Sequence, residues 1–160
     1  MNNLEHSSEK PSNNQLIYAS TVISYIGFLD AIYLTVEHYT GAGLKCIIFT
    51  GCDQVANSSY SIMFGLPVAL WGALFYLSIL LLSLLCIDLK DHPIKEKHIF
   101  RIIPIFTLLG FMFTLRFIYL QVYVIKAICV YCMFSAITST LLFMIGAVLF
   151  RRMFYKFRNR

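Results

Sequence analysis

The sequence predicts an all-α integral membrane protein, a four-transmembrane-helix bundle capped by an extracytoplasmic loop with a short helix. Three observations lead to this fold class. Of the 160 residues, 59% are hydrophobic and only 13% are charged, far from the balance of a water-soluble chain. Four apolar segments of about 20 residues follow one another, each long enough to cross a bilayer. Lys and Arg cluster on one side of these segments, so the net charge of +5 follows membrane topology and predicts no nucleic-acid partner.

The predicted elements divide the chain into a membrane domain and two tails. Residues 1–14 are polar and are predicted to form a disordered cytoplasmic tail. Residues 15–150 are predicted to form the four-helix domain, and residues 151–160 a basic cytoplasmic tail. Pro67 suits an early helical position in the second span, where its missing N–H costs nothing. The predicted spans are Leu16 to Glu37, Leu66 to Ile87, Ile99 to Val124 and Ile128 to Phe150.

The distribution of basic residues predicts the orientation, because short cytoplasmic loops carry an excess of Lys and Arg. The two tails and the connection between spans two and three hold ten of the thirteen. The other two connections hold only Lys45 and Lys126. We therefore expect a multi-pass protein of the inner (plasma) membrane with both termini in the cytoplasm. Membrane lipid is its expected surroundings, with anionic lipid near the basic tail.

Four of the five cysteines fall on the extracytoplasmic side of this topology, where disulfides form and persist. Cys129-Val130-Tyr131-Cys132 is a C-x-x-C motif at the start of a helix. Its two sulfurs share one helical face, and the helix N-terminus favours a thiolate. Cys46 and Cys52 are separated by five residues, a spacing that closes easily into a loop disulfide. Cys86 lies near the cytoplasmic end of span two and is interpreted as a small core residue.

The chemistry expected of the two outer pairs is thiol–disulfide exchange. Exchange needs a stabilised thiolate as nucleophile or leaving group, which the C-x-x-C pair provides. A bridge across one helical turn closes almost no loop and so stabilises little, which argues against a purely structural role for Cys129–Cys132. For Cys46–Cys52 a static structural disulfide remains an alternative. Two neighbouring pairs in one small domain favour a redox relay.

The cysteine pattern resembles the vitamin K epoxide reductase (VKOR) family in its bacterial form. The residues that carry the resemblance are the Cys46-x5-Cys52 pair, Ser58, the Gly65-Leu66-Pro67 start of a span and the late Cys129-x-x-Cys132. The first span, with Gly-Phe-Leu-Asp-Ala-Ile-Tyr-Leu-Thr over residues 27–35, is also similar to the first helix of the family.

The resemblance implies a four-helix bundle around a quinone, ubiquinone or menaquinone. Cys129 and Cys132 are then the active-site pair beside the quinone, and Cys46 and Cys52 the loop pair that relays electrons. Ser58 corresponds to a serine near the quinone. The implied activity is membrane thiol–disulfide oxidoreduction that supports disulfide bond formation. Many bacterial members carry a fused thioredoxin-like domain, which this sequence lacks, so we expect a separate DsbA-like or thioredoxin-like partner.

Aromatic and charged residues inside the spans are further candidates for cofactor binding. Trp71 and Tyr76 on span two are predicted to wall the quinone pocket, with simple helix packing as the alternative. Arg116 and Tyr119 share a face of span three, and an ionisable residue inside a span marks a candidate site. For these two the alternative is an anchor at the outer headgroups.

Two polar residues of span one are weaker candidates. Asp30 is expected to pair with Arg116 or to hydrogen-bond within the bundle. His38 is interpreted mainly as an anchor at the outer interface, and a proton-donating role toward a quinone is the alternative.

Two rival functions share the cysteine content. The DsbB type of quinone-linked disulfide generator also has four spans and two cysteine pairs, but there the C-x-x-C comes before the loop pair. A metal carrier is the other rival, because four thiolates suit Zn²⁺ or Cu(I). No cluster of His or Met forms an entry path for a metal, and an oxidising compartment disfavours free thiols.

Overall fold

The computed structural model describes residues 13–41, 51–88 and 93–158. Within these ranges the chain is almost entirely helical. The elements, in chain order, are α1 (Asn13–Thr40), α2 (Gly51–Ala56), β1 (Ile62–Met63), β2 (Leu66–Pro67), α3 (Val68–Asp88), α4 (Pro93–Tyr119), a π-helical segment that continues α4 (Leu120–Ile125), and α5 (Val130–Arg158).

Four helices are long and apolar enough to cross a membrane, which confirms the predicted fold class. They are α1, α3, α4 with its π-helical continuation, and α5. Many large apolar side chains of these helices are exposed on the outside of the bundle, as expected where lipid replaces water. The last helix runs on to Arg158, so the end of the predicted fourth span at Phe150 is not the end of a helix.

Small residues allow the helices to approach closely where they cross. α1 packs mainly against α3, and α4 against α5, while α1 also contacts α5. A side chain on Gly27 would meet the ring of Tyr76, and one on Gly146 would meet Thr107. Van der Waals packing through such residues drives helix association in lipid, since apolar side chains gain little by leaving a lipid environment.

A buried tyrosine ties the second membrane helix to the last one. The hydroxyl of Tyr76 lies 2.7 Å from the Ser135 carbonyl oxygen, to which it donates. It is also 3.0 Å from Ser135 Oγ and 2.8 Å from Thr138 Oγ1. Tyr76 is 1% exposed and belongs to the buried core cluster with Ala31 and Ile79, among others. The position of α5 along α3 is therefore set by directed hydrogen bonds as well as by packing.

A small hairpin leads the chain from α2 into α3. Ile62 pairs with Pro67 and Met63 with Leu66, around a two-residue turn of Phe64 and Gly65. Both turn residues have positive φ, 54° and 78°, as a type I′ turn requires. Pro67 is thus the last strand residue and not part of the helix, which corrects the predicted start of span two.

The connection between α4 and α5 is a tight reversal. The π-helical segment ends at Lys126, which adopts the left-handed conformation with φ 56°. The carbonyl of Gln121 accepts the N–H of Lys126 and, at 3.1 Å, the N–H of Ala127. α5 begins at Val130, so Cys129 lies at the very start of this helix, as the C-x-x-C motif predicts.

Candidate functional site

One large cavity of about 550 Å³ lies between α3, α4 and the first turns of α5, beneath α2 and the hairpin. Its lining is mostly apolar. Cys52, Cys129 and Cys132 lie along its walls. A volume of this size is ordinary for a pocket that holds a cofactor or substrate.

The cavity opens sideways between α3 and α4. Leu74 on α3 and Leu109 on α4 both line it, and both are about half exposed on the surface of the bundle, at 46% and 55%. Phe106 and Phe113 on α4 also line the cavity and are exposed. The opening therefore faces the region where the four helices meet lipid.

The C-x-x-C pair occupies the end of the cavity nearest to α2. Both cysteines are free thiols, and Cys129 is only 1% exposed. The backbone N–H of Cys132 donates to Cys129 Sγ at 3.4 Å. Cys129 therefore lies at a helix N-terminus with amide hydrogens directed at its sulfur, an arrangement that stabilises a thiolate.

The titration of Cys129, which lies in the connection between two spans, follows from these contacts. A hydrogen bond from the Cys132 thiol lowers the pKa of Cys129 below its usual range. The N–H groups of Cys132 and Tyr131 lower it further, against the opposing effect of burial. These contacts therefore stabilise the thiolate form of Cys129.

The loop cysteine Cys52 packs directly against this pair. Cys52 has no exposed surface and is disulfide-bonded, while Cys46, its predicted partner, lies outside the described residues. Cys52, Val55, Ala127 and Cys129 form one buried group, which we call the relay cluster. The cluster brings one sulfur of the loop and one of the C-x-x-C motif into the same apolar surroundings.

A glycine permits this close approach. α2 starts at Gly51, whose Cα faces the backbone just before the C-x-x-C motif. A Cβ at this position would lie 2.7 Å from the carbonyl oxygen and 2.9 Å from the nitrogen of Ile128. Both atoms belong to the backbone, so neither can turn aside. Only glycine allows α2 to carry Cys52 this near to Cys129.

Three predicted cofactor-binding residues line the cavity, but their polar hydrogens are directed at the protein. Ser58 donates to the Val55 carbonyl at 2.8 Å, and Trp71 Nε1 donates to the Met63 carbonyl at 3.2 Å. Tyr76 also lines the cavity, with its hydroxyl engaged by α5. Toward the cavity, these residues therefore provide van der Waals contacts and hydrogen-bond acceptors, but no donor hydrogens.

Short contacts fix the end of α2 beside the cavity. Ser58 follows the helix in a turn, and its carbonyl accepts both the N–H and the hydroxyl of Ser61. Asp53, in the first turn of α2, accepts a hydrogen bond from the side-chain amide of Asn57 at 2.9 Å.

Arg116 and Tyr119 are not brought to the cavity. Both are exposed on the outside of α4, and Tyr119 stacks on Tyr123 with ring centroids 5.1 Å apart. Asp30 and Arg116 form no ion pair, and the buried Oδ2 atom of Asp30 has no hydrogen-bond partner. His38, by contrast, lines the cavity at the outer end of α1. Arg116 and Tyr119 therefore lie outside the candidate site.

Gln121 was missed by sequence reasoning. It is 2% exposed, lines the cavity, and its Oε1 accepts the backbone N–H of Cys129 at 3.2 Å. The available signal was an uncharged polar residue eight positions before the first cysteine of the motif, inside an otherwise apolar span. Its role depends on the π-helical segment, which the sequence pattern does not reveal.

The bundle and its cysteines define the class of this protein as a membrane thiol–disulfide oxidoreductase. A C-x-x-C pair at a helix start, a disulfide-bonded loop cysteine packed beside it and an apolar cavity within membrane helices are its distinguishing parts. The chain belongs to the vitamin K epoxide reductase family, whose sequence profile matches residues 18–147. No curated protein matches the sequence closely. The family assignment confirms the resemblance and sets the DsbB-type alternative aside.

Replacing Gly51 by Ala tests the close approach of α2 to the C-x-x-C motif. The added methyl group cannot fit against Ile128 and should push Cys52 away from Cys129. In a Cys46→Ala background, which traps the Cys52–Cys129 mixed disulfide, we expect its formation to slow by about tenfold or more, since small misplacements of reacting atoms have large effects on rate. Quantitative mass spectrometry of cross-linked peptides measures this rate.

Gly72→Ala is the matched control, because a Cβ there meets only Ala31 at an ordinary 3.8 Å. An equal rate of mixed-disulfide formation in Gly51→Ala and the parent would contradict the importance of this contact.

Replacing Cys132 tests the cause of the lowered pKa of Cys129. In Cys132→Ala the hydrogen-bond donor is lost, so the pKa of Cys129 should rise and its thiolate should form at higher pH. Cys132→Ser keeps a hydroxyl donor, so its titration should stay closer to that of the parent. A charge-assisted hydrogen bond corresponds to a difference of about one pH unit or more between the two variants.

Ultraviolet absorbance of the thiolate against pH, with the loop cysteines oxidised and Cys86 replaced by Ser, gives the midpoints. Coinciding midpoints for the Ala and Ser variants would show that the Cys132 side chain does not lower the pKa.

Proposed function

We propose that this protein passes electrons from an extracytoplasmic DsbA-like or thioredoxin-like protein through two cysteine pairs to a membrane quinone. The electrons enter at Cys46–Cys52, pass to Cys129–Cys132 and end on ubiquinone or menaquinone. The net reaction converts a dithiol and a quinone into a disulfide and a quinol, and so supports disulfide bond formation. Membership of a family of membrane thiol–disulfide oxidoreductases supports the first part of this proposal.

The observation that carries the proposal is the relay cluster at the end of the cavity. Cys52 and Cys129 are buried in one apolar group, and Cys132 lies on the cavity wall. The Cys52 sulfur that must exchange with Cys129 therefore lies at the same place as the cavity that adjoins Cys132. Any electron acceptor for the C-x-x-C pair is expected in this cavity.

The cavity suits a quinone by its lining and its shape. Its walls are mainly apolar, with the aromatic rings of Trp71, Phe113 and Phe117 among them. From Phe117 to Phe106 the lining follows α4 for about 16 Å, at 1.5 Å per residue, which suits a long apolar tail. Ser58 and Trp71 would border the polar ring near the sulfurs, and Gln121 lines the same part of the cavity. When bound, the quinone supplies an acceptor for two electrons and two protons.

The sulfur chemistry follows the order of the contacts. The partner dithiol reduces the loop disulfide and is itself oxidised. The Cys52 thiolate then attacks Cys129, which forms a Cys52–Cys129 bond and releases Cys132. Cys46 attacks Cys52 in turn, re-forms the loop disulfide and releases the Cys129 thiolate. A low pKa makes Cys129 a good leaving group in this last step.

The orientation is part of the proposal. We assign the protein to the inner (plasma) membrane with both termini in the cytoplasm, residues 15–150 as the membrane domain and the remaining residues as cytoplasmic tails. α2, the hairpin and the Lys126 turn lie at one end of the bundle, while the exposed Arg151 lies at the other. The end that carries Arg151 has the excess of basic residues, which favours a cytoplasmic location for that end.

Turnover of the purified chain in lipid vesicles tests the function, with reduced DsbA-like protein as donor and ubiquinone or menaquinone as acceptor. We expect one quinol to form for each dithiol oxidised, followed by the change in quinone absorbance. Cys132→Ser should abolish quinol formation, since the C-x-x-C pair can no longer form a disulfide. Cys46→Ala should stop turnover as well and accumulate a Cys52–Cys129 bond, because the resolving thiol is missing.

Cys86→Ser is the control with parental turnover, because Cys86 is buried at the far end of α3. Dithiol oxidation without quinol formation would contradict the quinone as acceptor. Accumulation of Cys46–Cys129 in Cys52→Ala, with no link in Cys46→Ala, would exchange the roles of the loop cysteines. If neither variant joins the loop to α5, the relay is wrong, since a bond needs the two Cα atoms within ~7 Å.

Single reporter cysteines test the orientation. Ser59 and Arg151 are both exposed, at opposite ends of the bundle. In a background with all five native cysteines replaced by Ser, a membrane-impermeant thiol reagent added to intact cells should label Ser59→Cys and not Arg151→Cys. Permeabilised cells serve as the control, in which both positions should react. Labelling of Arg151→Cys alone in intact cells would reverse the orientation.

A further inference from the structure

We propose that the side-chain amide of Gln121 binds a carbonyl oxygen of the quinone while it holds Cys129 in place. This inference rests on the proposed function and names a residue that would determine how the quinone ring lies relative to the sulfurs. It is carried by the orientation of one buried amide, by its position on the cavity wall and by the hydrogen bonds of the neighbouring polar groups.

The backbone of Gln121 is fixed from two sides. Gln121 lies in the π-helical segment, a form of helix that often marks functional sites. Its carbonyl oxygen accepts the N–H groups of Lys126 and Ala127, which close the reversal before α5. The residue is 2% exposed, so its side chain has little freedom to move.

The amide orientation of Gln121 follows from its contact with Cys129. The atom that faces the backbone N–H of Cys129, at 3.2 Å, must be the oxygen Oε1, because a backbone N–H only donates. The Nε2 group must then point the other way. The side chain therefore offers an acceptor to the start of α5 and a donor to its other side.

The Nε2 group borders the cavity. Its hydrogens meet no acceptor among the described residues. The Nε2 atom is nevertheless not fully enclosed by protein, so part of its surface is accessible. Since Gln121 lines the cavity, the donor faces into it. A buried donor without an acceptor costs about 1–3 kcal/mol, so a ligand that supplies only acceptor atoms gains by binding here.

Three neighbouring polar residues direct their hydrogens at protein acceptors, and Ser139, whose oxygen accepts from Thr114, is the alternative donor. Ser58 and Trp71 give their hydrogens to backbone carbonyls. Thr114 lines the cavity too, but its hydroxyl lies 3.0 Å from both the Gly110 carbonyl and Ser139 Oγ. A quinone oxygen only accepts hydrogen bonds. The Nε2 group of Gln121 is a donor, and it belongs to a side chain that contacts Cys129 directly.

Binding of quinone to the oxidised full-length chain tests the inference, because both cysteine pairs are then disulfides and cannot reduce it. Two readouts are independent of activity: the dissociation constant, and the infrared stretching band of the quinone carbonyl labelled with a heavy isotope. In the parent we expect one carbonyl band to be shifted to lower frequency by a hydrogen bond. In Gln121→Met this shift should be lost and the affinity should fall by about three- to tenfold, as for one neutral hydrogen bond.

Gln121→Glu separates a role toward the quinone from a structural role. A protonated carboxyl group keeps both the acceptor for Cys129 and a donor for the quinone, whereas the carboxylate keeps only the acceptor. Quinone affinity of this variant should therefore match the parent at low pH and fall about tenfold as pH rises. The parent, in which both cysteine pairs are likewise disulfides and which contains the same Asp30 and His38, should bind quinone equally across that range.

Formation of the Cys52–Cys129 bond in a Cys46→Ala background reports on the fold of the variants. At low and at high pH, the rate of bond formation in Gln121→Glu should equal the rate at the same pH in the chain that keeps Gln121. Parental quinone binding with an unchanged carbonyl band in Gln121→Met would overturn the role of Gln121. So would loss of the band shift in Ser139→Ala with Gln121 intact. Absence of quinone binding in the parent would instead overturn the proposed cofactor, and this inference with it.

Discussion

A bilayer offers no hydrogen-bond partners, so every backbone N–H and C=O within it must be satisfied by the chain itself. The four long helices meet this demand along most of their length. Within residues 13–41, 51–88 and 93–158, irregular backbone lies at one end of the bundle, where α2, the hairpin and the reversal at Lys126 are found. The reactive sulfurs are at this same end, where the backbone bends sharply enough to bring loop and helix cysteines together.

Gln121 shows how the irregular end is held together. Its main-chain carbonyl accepts two N–H groups of the reversal and its side chain accepts a third, from Cys129. The first amides of a helix ordinarily lack partners within the helix. Here the N–H of Cys129 is satisfied from the preceding span, so the start of α5 is anchored to α4, and the Cys129 sulfur accepts the N–H of Cys132.

Hydropathy and cysteine spacing predicted much of this molecule, and their failures have physical causes. Spans were placed within a few residues, but the start of α3 was wrong, since a type I′ turn with Phe64 at positive φ is not apparent from residue types. Arg116 and Tyr119 do share a helix face, as their spacing requires, but periodicity does not say which face turns inward. Cys52, Ser58 and the C-x-x-C pair, which were singled out by their spacing and by the family resemblance, all line the cavity, whereas the position of Gln121 depends on a π-helical segment.

The sideways opening between α3 and α4 has a consequence for how affinity at this site should be expressed. Leu74 and Leu109 stand at a mouth that faces acyl chains, so a lipid-soluble molecule reaches the sulfurs without leaving the bilayer. The relevant concentration is then a mole fraction in the membrane, where hydrophobic molecules accumulate far above their aqueous level. A weak intrinsic association is sufficient for high occupancy, and it lets the product leave quickly. Dilution with extra lipid, at constant total ligand, would lower occupancy even though no aqueous concentration had changed.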